Sequence, residues 1–245
     1  MSDSDNSKGS FQEQKSYYDK HWRIKNLSID QRCRIGFIVP NIEGIKGKMG
    51  RSLRLCDLGC GKGWLSSILS KYGDVLGVDM SIDMAKRLHP NLKFKQANII
   101  KDTIEGQFDI VVSSEVIEHM EPEFQPIYVK KCYDLLEPDG YLVLTTPNKP
   151  IIEAHMAASP ITKLQPIETW LDKKSLLSLL QPYFEVENLS TVMFYPSFVN
   201  KYRLLNIGYS ILYEKMGFYR PIDKILNLVN AEGIYLTLTA HKANQ

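Results

Sequence analysis

Residues 57–64 read Asp-Leu-Gly-Cys-Gly-Lys-Gly-Trp, so glycines fall at alternate positions directly after an apolar run. Glycine adopts positive φ without a Cβ penalty and lets the backbone approach a ligand closely. Gly59, Gly61 and Gly63 therefore suit a tight turn pressed against a flat or extended molecule. The spacing is not the dinucleotide fingerprint G-x-G-x-x-G, because Trp64 stands where its third glycine belongs. Nor is it a phosphate-binding P-loop, since no G-K-[ST] closes the turn.

Two further groups could do chemistry with that turn. Asp79 ends the run Val-Leu-Gly-Val-Asp, twenty residues after Gly59. A carboxylate there can accept hydrogen bonds from both hydroxyls of a ribose. Glu115, Glu118 and His119 stand at i, i+3 and i+4, a spacing that puts all three on one helix face. An unperturbed imidazole titrates near pH 6.5, so His119 is a candidate general base for a hydroxyl nucleophile. Its plainer reading is an imidazole hydrogen-bonded within its own helix.

These side chains need a scaffold, and the chain supplies a rhythm. RLCDLG, DVLGVD, LKFKQANI, FDIVVSSEV and GYLVLTTP read as strands. Between them WLSSILSKYG is a helix closed by Gly73, and SIDMAKRLHP is a helix capped by Ser81 and stopped by Pro90. A further helix falls around PIYVKKCYDLLEPDG. Near-continuous apolar strands alternating with helices imply a parallel sheet covered on both faces. Upstream, residues 11–39 read as one or two helices ending before Pro40, and IEGIKGKMGRS reads as a linker. Downstream come a helix KKSLLSLL, a strand FEVENLSTV, a longer helical stretch NKYRLLNIGYSILYEKMG and a final antiparallel, near-edge strand GIYLTLTAHK.

The D-x-G-x-G-x-G turn after an apolar strand, with Asp79 at the end of the next, resembles motif I of the class I S-adenosylmethionine-dependent methyltransferases. FKQANI, FDIVVSSEVIEHM and LLEPDGYLVLTTPN resemble the family's later strands, so the resemblance covers about residues 50–150. It implies an α/β, Rossmann-like, doubly wound sheet of seven strands. The sheet would be mostly parallel with an antiparallel last strand, an N-terminal helical lid and a helical insertion before that strand. It implies S-adenosyl-L-methionine as cofactor, held by Asp57, Gly59, Cys60, Gly61, Gly63, Trp64, Asp79, Met80, Ala97, Asn98, Ile99, Ser114 and Glu115. Asn98 stands where relatives often carry an acid for the adenine amino group, which its amide oxygen could accept. Tyr17, Tyr18 and Trp22 fall near one helical stripe, and the resemblance puts Tyr18 against the cofactor.

The nearest group within the family is the ubiquinone-biosynthesis-like small-molecule O-methyltransferases. These and the small-RNA 2′-O-methyltransferases carry E-x-x-E-H after the fourth strand. The resemblance implies a magnesium site at Glu115, Glu118 and His119. Metal-binding relatives add a downstream histidine, whereas this chain reads QPIETWLDKK there, so no metal is assigned.

Composition narrows the partners. The 245 residues are 44% hydrophobic with net charge +2 and no Lys/Arg run, which gives no footprint for nucleic acid. After the fourth strand the chain has SSEV, not the [ND]-P-P-[YF] of base N-methylating enzymes. Cys33, Cys56, Cys60 and Cys132 show no zinc-finger spacing and read as reduced thiols of a cytoplasmic protein. Residues 1–10 read as a disordered tail and 11–245 as one domain. Residues 11–49 form its helical cap, 50–150 its cofactor core and 151–245 its substrate-shaping part. The aromatic, basic stretch 193–220 reads as a substrate lid or a surface touching lipid. The expected activity is methyl transfer to a hydroxyl oxygen of a sugar, phenol or other secondary metabolite. The alternatives are a metal-assisted RNA ribose methyltransferase and a catalytically silent S-adenosylmethionine-binding module.

Overall fold

The computed structural model describes residues 27–158, 166–194, 207–209, 211–215, 217–229 and 231–243. Tyr17, Tyr18 and Trp22 lie outside them, as do the expected tail and most of the 11–39 helical stretch.

Seven strands form one sheet in the order β3-β2-β1-β4-β5-β7-β6. They are β1 Leu53–Leu58, β2 Gly73–Asp79, β3 Lys93–Gln96, β4 Phe108–Ser114, β5 Leu136–Pro147, β6 Phe184–Val192 and β7 Tyr235–Lys242. Strands β1 to β5 pair in parallel, and β7 runs antiparallel between β5 and β6. The expected last strand is therefore antiparallel, and it sits one place in from the edge, which β6 occupies. The order reverses between β1 and β4, so the crevice at the carboxyl ends of those strands is the ligand position of an open α/β sheet. Apolar strand residues bury on both faces. Leu58, Val111 and Leu144 belong to one core, and Leu55, Ile110 and Val143 to the other.

The helices are α1 Ile29–Met49, α2 Trp64–Leu69, α3 Asp83–Leu88, α4 Gln125–Asp134, α5 Lys149–Ala158, α6 Lys173–Leu180 and α7 Tyr219–Leu228. Helix α1 corrects the expectation of a helix ending before Pro40 and a linker after it. It runs through Pro40, because its apolar face is buried on both sides of the proline by Phe37, Ile38, Ile42 and Ile45. Burying such side chains contributes about 1.5–3 kcal/mol each, against about 3 kcal/mol lost to an interior proline. Asn41 Nδ2 also bonds the Phe37 carbonyl at 2.8 Å, one turn back along the helix.

Two smaller corrections have local causes. Gly73 does not close a helix: α2 ends at Leu69 and Gly73 opens β2. A Cβ there would lie 1.9 Å from the Leu53 carbonyl oxygen. Ser81 is not a helix cap either: its amide donates to Asp79, and Ile82 occupies the cap position of α3. Of the insertion before β7, residues 207–209 and 211–215 are helical. Ile207, Ile211, Leu212 and Phe218 expose apolar surface there.

Candidate active site

The turn after β1 is built as the glycines require, though not for the reason expected at each. Gly59, Gly61 and Gly63 have φ of 84°, 51° and 74°, a region other residues rarely enter. The Gly59 and Cys60 amides both donate to the Val78 carbonyl, which seats the turn on β2. A Cβ on Gly59 would meet Val116 Cγ2 at 2.4 Å, and one on Gly63 would meet the Phe94 ring at 2.7 Å. The close approach at those two glycines is thus to the protein's own side chains. At Gly61 the amide donates to Asp79 Oδ2 at 2.9 Å, while the Ser81 amide donates to Oδ1 at 2.9 Å. Two backbone donors fix the plane of the Asp79 carboxylate beside the turn.

The other expected cofactor residues gather at the same carboxyl ends. Asp57 is buried, and burial pushes its carboxyl up to about 7. Ser66 Oγ of α2 donates to it at 2.5 Å, tying strand to helix. Cys60, Ala97 and Ile99 are buried, and Trp64, Met80 and Ser114 are partly exposed. The Met80 carbonyl accepts from Gln96 Nε2. Asn98 Oδ1 accepts from the amides of Ile100 and Lys101 at 3.0 and 3.1 Å. Both lone pairs of that oxygen are in use, so it is a turn former. The expectation that it receives the adenine amino group gives way, and its Nδ2 hydrogens are what Asn98 can offer.

After β4 the chain does not continue as a helix, which corrects the shared face expected of Glu115, Glu118 and His119. Glu115 has φ 60° and a short 3-10 turn, Ile117–His119, follows. The Glu115 amide donates to the Thr145 carbonyl, and Thr145 Oγ1 donates to Glu115 Oε1 at 3.1 Å. Thr146 Oγ1 donates to Glu118 Oε2, also at 3.1 Å. Burial is the main force raising both carboxyls to about 8. His119 Nδ1 meets the Ile167 carbonyl at 3.2 Å, and Nε2 lies 4.0 Å from Glu118 Oε1. A carbonyl only accepts, so Nδ1 is the donor of that contact. Among the described residues no group of three His, Cys, Asp or Glu side chains is arranged to hold a metal ion.

Arg34, Asp30 and Tyr235 were not singled out from the sequence, yet they border this site. Arg34 is 6% exposed. Its Nη1 reaches Ser114 Oγ at 3.2 Å, its Nη2 reaches Asp30 Oδ2 at 2.9 Å, and it lies 5.1 Å above the Tyr235 ring. One signal was available: a charged residue between Cys33 and Phe37, inside an otherwise apolar stripe.

A sheet of this order, with D-x-G-x-G-x-G closing its first strand and an acid ending its second, defines a class I S-adenosylmethionine-dependent methyltransferase. The profile of the methyltransferase-domain family matches residues 31–193, and the chain belongs to that family. It is similar to the ubiquinone biosynthesis O-methyltransferase of Shewanella pealeana, 31% identical over 168 residues, which are 63% of this chain and 68% of that protein. In fold it is similar to the PH0226 protein of Pyrococcus horikoshii OT3 (TM-score 0.63, 21% identity, 94% of this chain and 99% of that one). It is also similar to the N-methyltransferase NodS of Bradyrhizobium japonicum WM9 in complex with S-adenosyl-L-homocysteine (TM-score 0.61, 10% identity, 94% and 99%). No helix of the described residues is long and apolar enough to cross a membrane.

Proposed function

We propose that this methyltransferase moves the methyl group of S-adenosylmethionine to a hydroxyl oxygen of a small molecule: a sugar, a phenol or another secondary metabolite. The observation that carries this reading is the place of His119 in the turn after β4, its ring held by the Ile167 carbonyl at 3.2 Å from Nδ1. An imidazole held there is the candidate to take a proton from an acceptor hydroxyl. A hydroxyl that takes the methyl group must give up its proton, which such a base receives. The relatives named as O-methyltransferases act as a second support.

The cofactor, when bound, supplies a methyl group made electrophilic by a cationic sulfur. The chain's own residues would hold and orient it. The Asp79 carboxylate, fixed by the Gly61 and Ser81 amides, suits the ribose hydroxyls. The turn through Gly59, Cys60, Gly61 and Gly63 carries the backbone past the sugar. Asn98 offers Nδ2 to an acceptor on the purine ring, and Ala97 and Ile99 line its apolar side. Ser114 and Glu115 would face the ammonium of the amino-acid end. His119 takes the proton of the acceptor hydroxyl, and no metal is needed at Glu118, which Thr146 already engages.

Residues 50–150 would then be the cofactor-holding part and 151–245 the acceptor-shaping part. The exposed apolar side chains between Ile207 and Phe218 suit an apolar acceptor or the lipid that carries one. A product screen with methyl-labelled cofactor tests the reading. Labelled ethers from phenols or sugar nucleotides are expected. Label found only on amines, or only on RNA, would replace it.

A further inference from the structure

We propose that Arg34 is a positioning residue for the cofactor cleft, acting through Glu115. The proposal rests on the reading of Glu115 as a cofactor contact. Arg34 lies on α1, outside the glycine turn and the strand ends that usually define such a cleft. An arginine stays charged in any protein, so burying it demands compensation on every side. Asp30, one helical turn earlier, takes two donors: Nε reaches its carbonyl at 3.3 Å and Nη2 its carboxylate at 2.9 Å. The face of the guanidinium lies over the Tyr235 ring of β7.

That leaves Nη1, and it points at the kink after β4. It meets Ser114 Oγ at 3.2 Å and Glu115 Oε1 at 3.6 Å. Ser114 Oγ is in turn 3.0 Å from Thr145 Oγ1, whose hydrogen-bond partner is Glu115. The arginine therefore touches both residues of the kink and closes a ring of contacts across α1, β4 and β5. Glu115 sits at positive φ. A non-glycine residue persists there only where its surroundings over-determine it, and among the described residues Arg34 is the permanent cation that bears on it. The groups facing Glu115 are Arg34 from α1, Thr145 from β5, Tyr235 from β7, and Glu118 and His119 from the 3-10 turn. All but Arg34 are neutral, acidic or weakly basic. Without the guanidinium, the Thr145 contacts alone hold the direction of the carboxylate and the backbone angle beneath it.

A purely structural arginine would tie α1 to the sheet and affect folding alone. A positioning arginine also changes binding, and does so only while Glu115 is present. Calorimetric titration with S-adenosylhomocysteine, which binds without turnover, separates the two. The proteins compared are the wild type, Arg34→Met, Arg34→Lys, Glu115→Gln and the Arg34→Met/Glu115→Gln double variant. Arg34→Met is expected to weaken binding at least tenfold, with part of the loss recovered in Arg34→Lys, which keeps the charge without the fork. In the Glu115→Gln background the same Met substitution is expected to change binding less than twofold. If Arg34→Met lowers the melting temperature yet binds within twofold of wild type, or if the two single losses multiply, the proposal is overturned. Should Arg34→Met not fold, Arg34→Lys carries the test alone: a loss of threefold or more that disappears in Glu115→Gln supports it, and unchanged binding overturns it. A wild type that binds no S-adenosylhomocysteine overturns the reading of the cleft and the proposal with it. Binding by the wild type without coupling overturns the proposal alone.

Discussion

The Gly61 amide donates to Asp79 Oδ2 at 2.9 Å, joining the turn after β1 to the carboxyl end of β2. The carboxylate also holds the Ser81 amide, so its two oxygens are set by backbone donors from two loops. An amide side chain can accept at one atom only, and its NH2 would face a backbone N–H. Asp79→Asn is therefore expected to disturb the turn as well as the ribose contact. Losing a charge-assisted hydrogen bond costs about 1.5–3 kcal/mol, or roughly ten- to a hundredfold in affinity. Titration with S-adenosylhomocysteine measures it, and binding within threefold of wild type would remove Asp79 from the site.

His119 should separate chemistry from binding. Its Nδ1 is engaged by the Ile167 carbonyl, so Gln or Asn at 119 keeps a polar group in place and removes the base. A positioned general base contributes about 10²- to 10⁴-fold. The expected result for His119→Gln is a fall in kcat of that order, with the cofactor Kd within about twofold of wild type. A rise confined to the acceptor KM would instead make His119 a binding residue.

Much of this site was legible in the sequence because it depends on backbone conformation. The glycines and Asp79 sit where their spacing put them, since positive φ leaves few alternatives to glycine. Glu115, Glu118 and His119 were found but wrongly arranged, because i, i+3 and i+4 spacing presumes a continuous helix and Glu115 takes φ 60°. Asn98 was assigned by chemical type, and its oxygen went to the local backbone amides instead. Arg34 was missed for another reason: its partners Ser114 and Glu115 lie some eighty residues away in sequence, and no local pattern announces a long-range ion pair.

Gly73 gives a steric test of the sheet. Its register partner is Leu53 at the start of β1, and an added Cβ would lie 1.9 Å from that residue's carbonyl oxygen and 2.6 Å from its amide nitrogen. Both atoms belong to the backbone and cannot swing aside. Gly73→Ala is expected to cost at least about 3 kcal/mol, in the range of severe core lesions. Gly44→Ala, where nothing lies within 4 Å, is the control and should be neutral or slightly stabilising, since alanine is the better helix former by about 1 kcal/mol. Urea denaturation reads both.

Burial of acids makes the cofactor-free protein sensitive to pH in a definite direction. Glu115 and Glu118 are each pushed up to about 8 by burial, and Asp57 to about 7. Unfolded, these groups titrate near 4. Between those limits the folded state binds more protons than the unfolded one, so stability falls as pH rises from about 4 to 8 and levels off above. Asp109 works the other way. Burial would raise its carboxyl, but Arg51 at 2.6 and 2.8 Å and the Arg54 amide at 2.7 Å hold it below the usual range. Its contribution is present above about pH 4 and is lost only in acid, outside the window where the glutamates act. Melting temperatures should thus be lower at pH 8 than at pH 6. Glu118→Gln, which keeps the shape and removes the ionisation, should flatten that difference, and an unaltered slope would mean Glu118 is ionised throughout.

A buried polar chain joins α1, the end of β6, residues 211–215 and α7, and it ought to act as one unit. Tyr213 donates to Asp223 Oδ1 at 2.6 Å and accepts from the Phe194 amide at 3.3 Å and from Cys33 Sγ at 3.6 Å. Asp223 Oδ2 takes the Met193 amide at 3.3 Å. The chain thereby links α1, the end of β6, the 211–215 turn and α7 through groups shut away from water. Tyr213→Phe leaves a buried carboxylate and a backbone amide short of a partner, which costs about 1–3 kcal/mol. Asp223→Asn retains an acceptor for the tyrosine while losing the charge. Because both substitutions break the same chain, the double variant should lose clearly less stability than the sum of the singles, a coupling of about 0.5–3 kcal/mol. Denaturation of the four proteins measures this directly. Strict additivity would mean that Tyr213 and Asp223 stabilise their elements separately, leaving the insertion free to move without α1.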